Sequence, residues 1–149
     1  MRIPAVLDTA CLIGLGRIGR LDLIPMLIEP VVVPPAVEME FGRCPEWMLV
    51  EAPRDQGMVA ALRLVVDYGE AEAITLAYEK RIRIILDDRK AREAATRLGI
   101  PVTGTVGLLV LAKQRGFLSA VLPVLNALEE NHFRIGVDLK TEALRLAGE

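Results

Sequence analysis

Short runs of aliphatic residues recur along this chain, each cut off by a carboxylate or a proline and followed by a longer helical stretch. Ile3-Pro4-Ala5-Val6-Leu7 stops at Asp8-Thr9, Val31-Val32-Val33 at Pro34-Pro35, and Ile82 to Leu86 at Asp87-Asp88. Runs this apolar, with little polar alternation, suit strands covered on both faces, as in parallel sheets. Strands that alternate with helices need crossover connections, which place helices on both sides of the sheet. The expected fold class is therefore α/β: a three-layer α/β/α sandwich with a mostly parallel central sheet of four to five strands.

The remaining segments fill in that plan. Cys11 to Gly19 and Leu21 to Ile28 read as short helices, and Pro35 can open a helix to about Phe41. Trp47 to Val50 reads as a short edge strand. Val59, Leu62 and Val66 give Gln56 to Asp67 a helical period. Tyr68-Gly69 then breaks the chain before a helix from Glu70 to about Arg81. Further helices are predicted over Lys90 to Leu98, Thr105 to Arg115, Ala120 to Glu130 and Asp138 to Leu146. Short strands are predicted at Ile100 to Val102 and Phe133 to Ile135. No linker, repeat or charge block divides the 149 residues, so 1–149 reads as one domain.

Composition narrows the function classes. With 52% hydrophobic residues and a formal charge of −2, the chain carries far too much apolar surface for disorder. Its longest apolar stretch, Val102 to Ala112, falls short of the roughly 20 residues that span a bilayer. Arg2 precedes only a brief apolar run before Asp8, which does not read as a signal peptide. Cys11 and Cys44 have no metal spacing and read as small buried residues in a reducing cytoplasm. The lone histidine, His132, reads as a helix-end or surface residue. Near-neutral net charge exerts no global pull on nucleic acid, so any such binding has to come from a local patch.

Open parallel folds bind ligands outside the carboxyl ends of their strands. Acidic residues cluster at those positions: Asp8 after the first run, Asp87 and Asp88 after the third, and Glu38 and Glu40 on the helix entered from the second. Glu70 lies on a helix feeding the third. Glu40 shares a helical side with Ala36 and Val37, whereas Glu38 diverges by about 100°. Glu70 aligns with Ala73, Ile74 and Ala77, while Glu72 points elsewhere and reads as solvated. Buried carboxylates repel one another unless a cation neutralises them, and Mg²⁺ or Mn²⁺ prefers oxygen ligands. Asp8 and Asp88 also suit plain helix caps.

Seven cations follow between Lys80 and Arg97: Lys80, Arg81, Arg83, Arg89, Lys90, Arg92 and Arg97. Beside an acidic centre they suit nucleic-acid phosphates, and Arg89, Lys90 and Arg92 are the substrate-binding candidates. Pairs such as Arg89 with Glu93 equally suit a solvated helix face. Aromatics at 4% argue against a groove that binds single strands by stacking.

Leu7-Asp8-Thr9, Val33-Pro34-Pro35-Ala36-Val37-Glu38-Met39-Glu40, Gly69 to Ile74 and Leu86 to Arg92 together resemble the PIN-domain proteins. The narrower likeness is to a VapC-like branch with a GEAEAI helix, a DDxxAR turn and a downstream Gly104-Thr105-Val106-Gly107-Leu108-Leu109 segment. The resemblance implies a parallel sandwich whose acids bind Mg²⁺ or Mn²⁺ for RNA hydrolysis, in some relatives as the toxin of a toxin–antitoxin pair. It maps Asp8, Glu40 and Glu70 to three acids, Glu70 standing where many relatives carry Asp. Asp88 maps to the fourth, with Asp87 in competition for it, and Thr9 and Thr105 support the site. It implies RNA, an antitoxin protein and a second copy of the chain as partners. Two alternatives stand beside it: a catalytically weak RNA- or protein-binding module, and a receiver-like phosphoacceptor. An acidic pair placed after the third run rather than the first disfavours the receiver.

Overall fold

The computed structural model describes residues 1–149. It contains five strands, β1 (Ile3–Leu7), β2 (Ile28–Val33), β3 (Met48–Val50), β4 (Arg83–Ile85) and β5 (Val102–Thr103). They form one sheet in the order β3-β2-β1-β4-β5. Every pairing is parallel. Nine helices accompany them: α1 (Thr9–Arg17), α2 (Leu23–Leu27), α3 (Pro35–Phe41), α4 (Gln56–Leu62), α5 (Tyr68–Lys80), α6 (Arg89–Arg97), α7 (Thr105–Gln114), α8 (Leu122–Glu130) and α9 (Val137–Leu146).

Alternation along the strands splits the interior into two cores. Ala5, Leu7, Val31, Val33 and Ile85 join Leu12, Leu15, Leu108 and Leu125 in a cluster of 25 buried residues. Their sequence neighbours Val6, Val32, Ile84 and Leu86 join Ile74, Ala77, Ala91 and Ala95 in a cluster of 11 on the other face. A strand reverses its side chains at each residue, so runs buried at every position need helices on both sides. That is the expected three-layer sandwich.

The strand order fixes where a ligand fits. From β1 the chain moves one way to β2 and β3, then returns to the opposite side of β1 for β4 and β5. The order reverses between β1 and β4, and crevices form outside the carboxyl ends of strands at such a reversal. The backbone N–H of Asp8 donates to the Ile85 carbonyl at 3.1 Å, which locks the two strand ends together there. This order differs from the 2-1-3-4-5 order of flavodoxin-like receiver folds, which removes the topological support for a phosphoacceptor.

Several local expectations are corrected. Helix α5 starts at Tyr68, two residues earlier than its apolar period suggests, because Asp67 caps it. Helix α4 ends at Leu62 rather than Asp67. No strand forms at Phe133 to Ile135. Phe133 instead packs its ring against Gly14, where an added Cβ would lie 2.8 Å from Cδ2. Cys11 is buried as expected, but Cys44 is exposed, in the irregular segment after α3. No helix is long and apolar enough to cross a membrane.

Candidate acidic site

Asp8 is the last residue before α1, in extended conformation, and it is only 7% exposed. Its side chain makes no cap hydrogen bond, so the plain cap reading fails here. Burial pushes this carboxyl up from 3.8 to about 7; the Thr9 backbone opposes the shift, and Asp67, Glu40 and Asp87 add repulsion. A buried carboxylate with no cation beside it is costly to ionise. The Thr9 hydroxyl next to it is buried without a hydrogen-bond partner.

Glu70 is buried and sits in the first turn of α5. A reciprocal capping box holds it: Asp67 Oδ1 accepts the Glu70 N–H at 2.8 Å, and Glu70 Oε1 accepts the Asp67 N–H at 3.1 Å. Burial raises this carboxyl to about 7, against the Asp67 backbone hydrogen bond, with Asp67, Asp8 and Asp88 contributing repulsion. Asp67 was not among the residues singled out from the sequence. The Asp67-Tyr68-Gly69-Glu70 spacing is its signal, an N-cap acid three residues before a Glu.

Asp87 and Asp88 have different tasks. Asp87 accepts the Thr105 N–H at 2.8 Å and the Thr105 hydroxyl at 2.6 Å. Burial raises its carboxyl; these two hydrogen bonds and the Arg92 guanidinium pull the other way. Gly104 permits this approach, since a Cβ there would lie 2.8 Å from Arg92 Nη1 and 3.1 Å from Asp87 Oδ1. Asp88 caps α6 by accepting the Ala91 N–H through Oδ2 at 3.0 Å, so the cap reading holds for it. Glu70 feels Asp88, while Asp8 feels Asp87.

Glu40 is exposed along most of its length, not buried with Ala36 and Val37, but it still reaches the cluster. Its Oε1 lies against Gly69, where any side chain would collide with it. Glu72 reverses the expectation of a solvated acid: it is 4% exposed. Its Oε1 accepts the Ala36 N–H of α3 at 2.9 Å, and Oε2 accepts the Tyr68 hydroxyl at 3.2 Å. Pro35 occupies the first turn of α3 and has no N–H, so Ala36 offers a first-turn amide that needs an outside acceptor.

The cations divide between the two ends of the sheet. Lys80 bonds to Glu51 at 3.1 Å, Arg83 bonds to Thr103 Oγ1 at 2.8 Å, and Arg81 caps the far end of α5. These three flank the amino end of β4. Of the rest, all on α6, Arg89, Lys90 and Arg92 lie in its first turn beside the acidic end, while Arg97 lies in its last turn. Arg92 Nη1 donates to the Leu86 carbonyl at 2.8 Å, and Arg89 pairs with Glu93 at 3.4 Å.

The donor set is chemically suited to a hard divalent cation. Its oxygens come from Asp8, Glu70, Asp88, Asp87 and Glu40, two of whose carboxyls are driven to near-neutral pKa by burial and mutual repulsion. No three of these acids stand close enough to enclose an ion. Mg²⁺ does not need a protein cage, because it keeps several waters and binds through one or two carboxylates.

No curated protein and no solved structure matches this chain. A family model described as DUF3368, PIN domain, matches residues 4–149. Since that match spans the sheet and every acid of the site, the chain belongs to this PIN-domain family.

Proposed function

We propose that this chain is an Mg²⁺- or Mn²⁺-dependent endoribonuclease that hydrolyses RNA phosphodiesters at the carboxyl ends of β1 and β4. The observation that carries the reading is Asp8, a buried carboxyl without a cap bond or cation, raised to about 7 and ringed by acids. Asp8, Glu70 and Asp88 are the candidate ligands, of which one or two would hold the cation with water completing its shell, and Asp87 and Glu40 stand beside them. When bound, that cation polarises the phosphodiester and lowers the pKa of its water.

The chain's own residues prepare the reaction. The capping box holds Glu70 through Oε1 and leaves Oε2 outside the cap. The Ala91 amide holds Asp88 through Oδ2 and leaves Oδ1 outside the cap. Thr105 holds Asp87 at both oxygens. Asp8 and Glu70 would bind the cation as carboxylates, and the cation would offset the burial and repulsion that raise both carboxyls in its absence. The chain supplies no nucleophile of its own here: Cys11 is buried and its thiol pushed up to about 12, and the lone His132 is exposed at the end of α8.

The VapC-like motifs support a role as a toxin held by an antitoxin in the cytoplasm. A second reading, a catalytically weak module that binds RNA or protein, draws on the acids' failure to converge around an ion. RNA cleavage assayed with Mg²⁺, Mn²⁺ and EDTA separates the two. Metal-dependent cleavage supports the nuclease, and RNA binding without cleavage under any metal supports the module.

A further inference from the structure

On its outer face α6 carries Arg89, Arg92, Glu93, Thr96 and Arg97, a stripe at i, i+3, i+4, i+7 and i+8 that falls on one side of a helix. With Asp87 these residues line a groove of about 490 Å³ that contains no apolar side chain. Asp87, just before α6, stands two residues past Ile85, whose carbonyl accepts the Asp8 N–H at 3.1 Å. One end of the groove therefore adjoins the acidic site.

We propose that this groove is a phosphate track for one strand of RNA leaving the acidic site, with Arg92 as its anchored cation, Arg97 as an exposed one and Thr96 as a hydroxyl contact. The proposal rests on the nuclease reading above, since it names how that site's substrate is held.

Three features favour this occupant. The all-polar lining sets three guanidiniums against two carboxylates, Asp87 and Glu93; Thr105 engages both oxygens of Asp87, the net charge of the lining is positive, and it offers nothing to an apolar ligand. Arg92 is anchored on the Leu86 carbonyl, which leaves its remaining N–H groups pre-aimed at low entropic cost. Arg89 is held only by a surface i,i+4 pair with Glu93, its side chain 93% exposed, and such solvent-screened pairs are weak, so a phosphate can claim it. From Arg89 to Arg97 the stripe rises only about 12 Å at 1.5 Å per residue, room for a few nucleotides of one strand. Duplex-RNA readers spread their contacts over about 16 base pairs. The groove has no aromatic residue, so it reads backbone rather than base. Lys90 lies outside this groove, and Arg97, not Lys90, completes the set.

The test uses the full chain carrying Asp8→Asn, which blocks cleavage, and a fluorescein-labelled 12-nucleotide single-stranded RNA read by anisotropy across a salt series. Adding Arg97→Ala is expected to weaken binding severalfold and to flatten the log–log salt slope by about 0.7, one phosphate contact on a single strand. Arg134→Ala, an exposed arginine packed on the other core's side, is expected to change neither. In the cleaving protein, Arg97→Ala is expected to raise KM and leave kcat. Unchanged affinity and slope on losing Arg97, tighter binding of a 12-base-pair duplex, or no binding at all would each overturn the track. Cleavage with an Arg97-independent slope sinks the track and spares the nuclease. An Arg97-dependent slope in a chain that never cleaves keeps the track and sinks the nuclease.

Discussion

Glu72 Oε1 accepts the backbone N–H of Ala36 at 2.9 Å, joining the second turn of α5 to the first turn of α3 inside the protein. Two consequences follow from the charge and the place. An anionic acceptor at a helix N-terminus satisfies an orphan amide and complements the helix dipole. It also fixes α3, one turn before Glu40, against the helix that carries Glu70.

Replacing Glu72 with Ala leaves that buried amide unpaired, a cost of about 1–3 kcal/mol. Urea unfolding should register that loss, and Glu72→Gln, which keeps an acceptor oxygen, should recover most of it. RNA cleavage should fall in Glu72→Ala. In a Glu40→Gln background the same change should cost less, because coupled sites are non-additive. Full additivity in that cycle contradicts a role exerted through Glu40.

Gly69 separates stability from function. The atom that its missing Cβ would strike is the end of a flexible side chain, Glu40 Oε1, which can swing away. Alanine inside a helix is favoured over glycine by about 0.5–1 kcal/mol. Gly69→Ala should therefore melt at or above the wild-type temperature while cleaving RNA more slowly. A lower melting temperature with undiminished cleavage contradicts the placement of Glu40.

Thr105 and Asp87 make the shortest polar contact of the site, at 2.6 Å. Thr105→Val keeps the shape and the backbone amide but removes the hydroxyl. Hydrogen bonds to charged groups are worth about 1.5–3 kcal/mol, so a stability loss of that order is expected in urea unfolding at pH 7. The Asp87 carboxyl should also rise further, since the hydroxyl is one of the groups that lower it.

The metal-free protein should lose stability as pH rises. Asp8 and Glu70 sit near 4 when unfolded and at about 7 when folded. Between those values the folded chain binds more protons than the unfolded one, so unfolding free energy declines with pH across that window. Thermal melting in EDTA should show the decline between pH 5 and pH 7.5, as an order-of-magnitude window set by those shifts. Asp8→Asn should flatten it, and added Mg²⁺ should restore stability on the alkaline side. A melting temperature that climbs through this range contradicts the picture of unneutralised acids.

Much of this architecture is legible in the sequence because burial writes directly into strand composition. Val6 and Leu7, or Ile84 and Ile85, are apolar neighbours that face opposite cores, and only a sheet covered twice can use both. Strand-end acids are legible for the same reason, since a charge that stops such a run lies at the sheet's rim. What a sequence does not carry is the partner across space. Glu72 looks like a solvated acid until the Ala36 amide is known to lie against it. Lys80, Arg81 and Arg83 look like neighbours of Arg89 until β4 carries the chain across the sheet between them. Asp67 hides in the turn after α4, because its role depends on Glu70 returning the hydrogen bond.

The central claim is that Asp8 belongs to a metal-dependent hydrolytic centre. Cleavage of a single-stranded RNA by the wild-type chain and by Asp8→Asn, each with Mg²⁺, Mn²⁺ or EDTA, tests it most directly. EDTA should abolish cleavage by the wild-type chain. The Asp8→Asn protein should remain folded but be slower by on the order of 10²-fold or more, the scale of several kcal/mol of transition-state stabilisation. Cleavage that ignores EDTA, or that survives undiminished in Asp8→Asn, would contradict it.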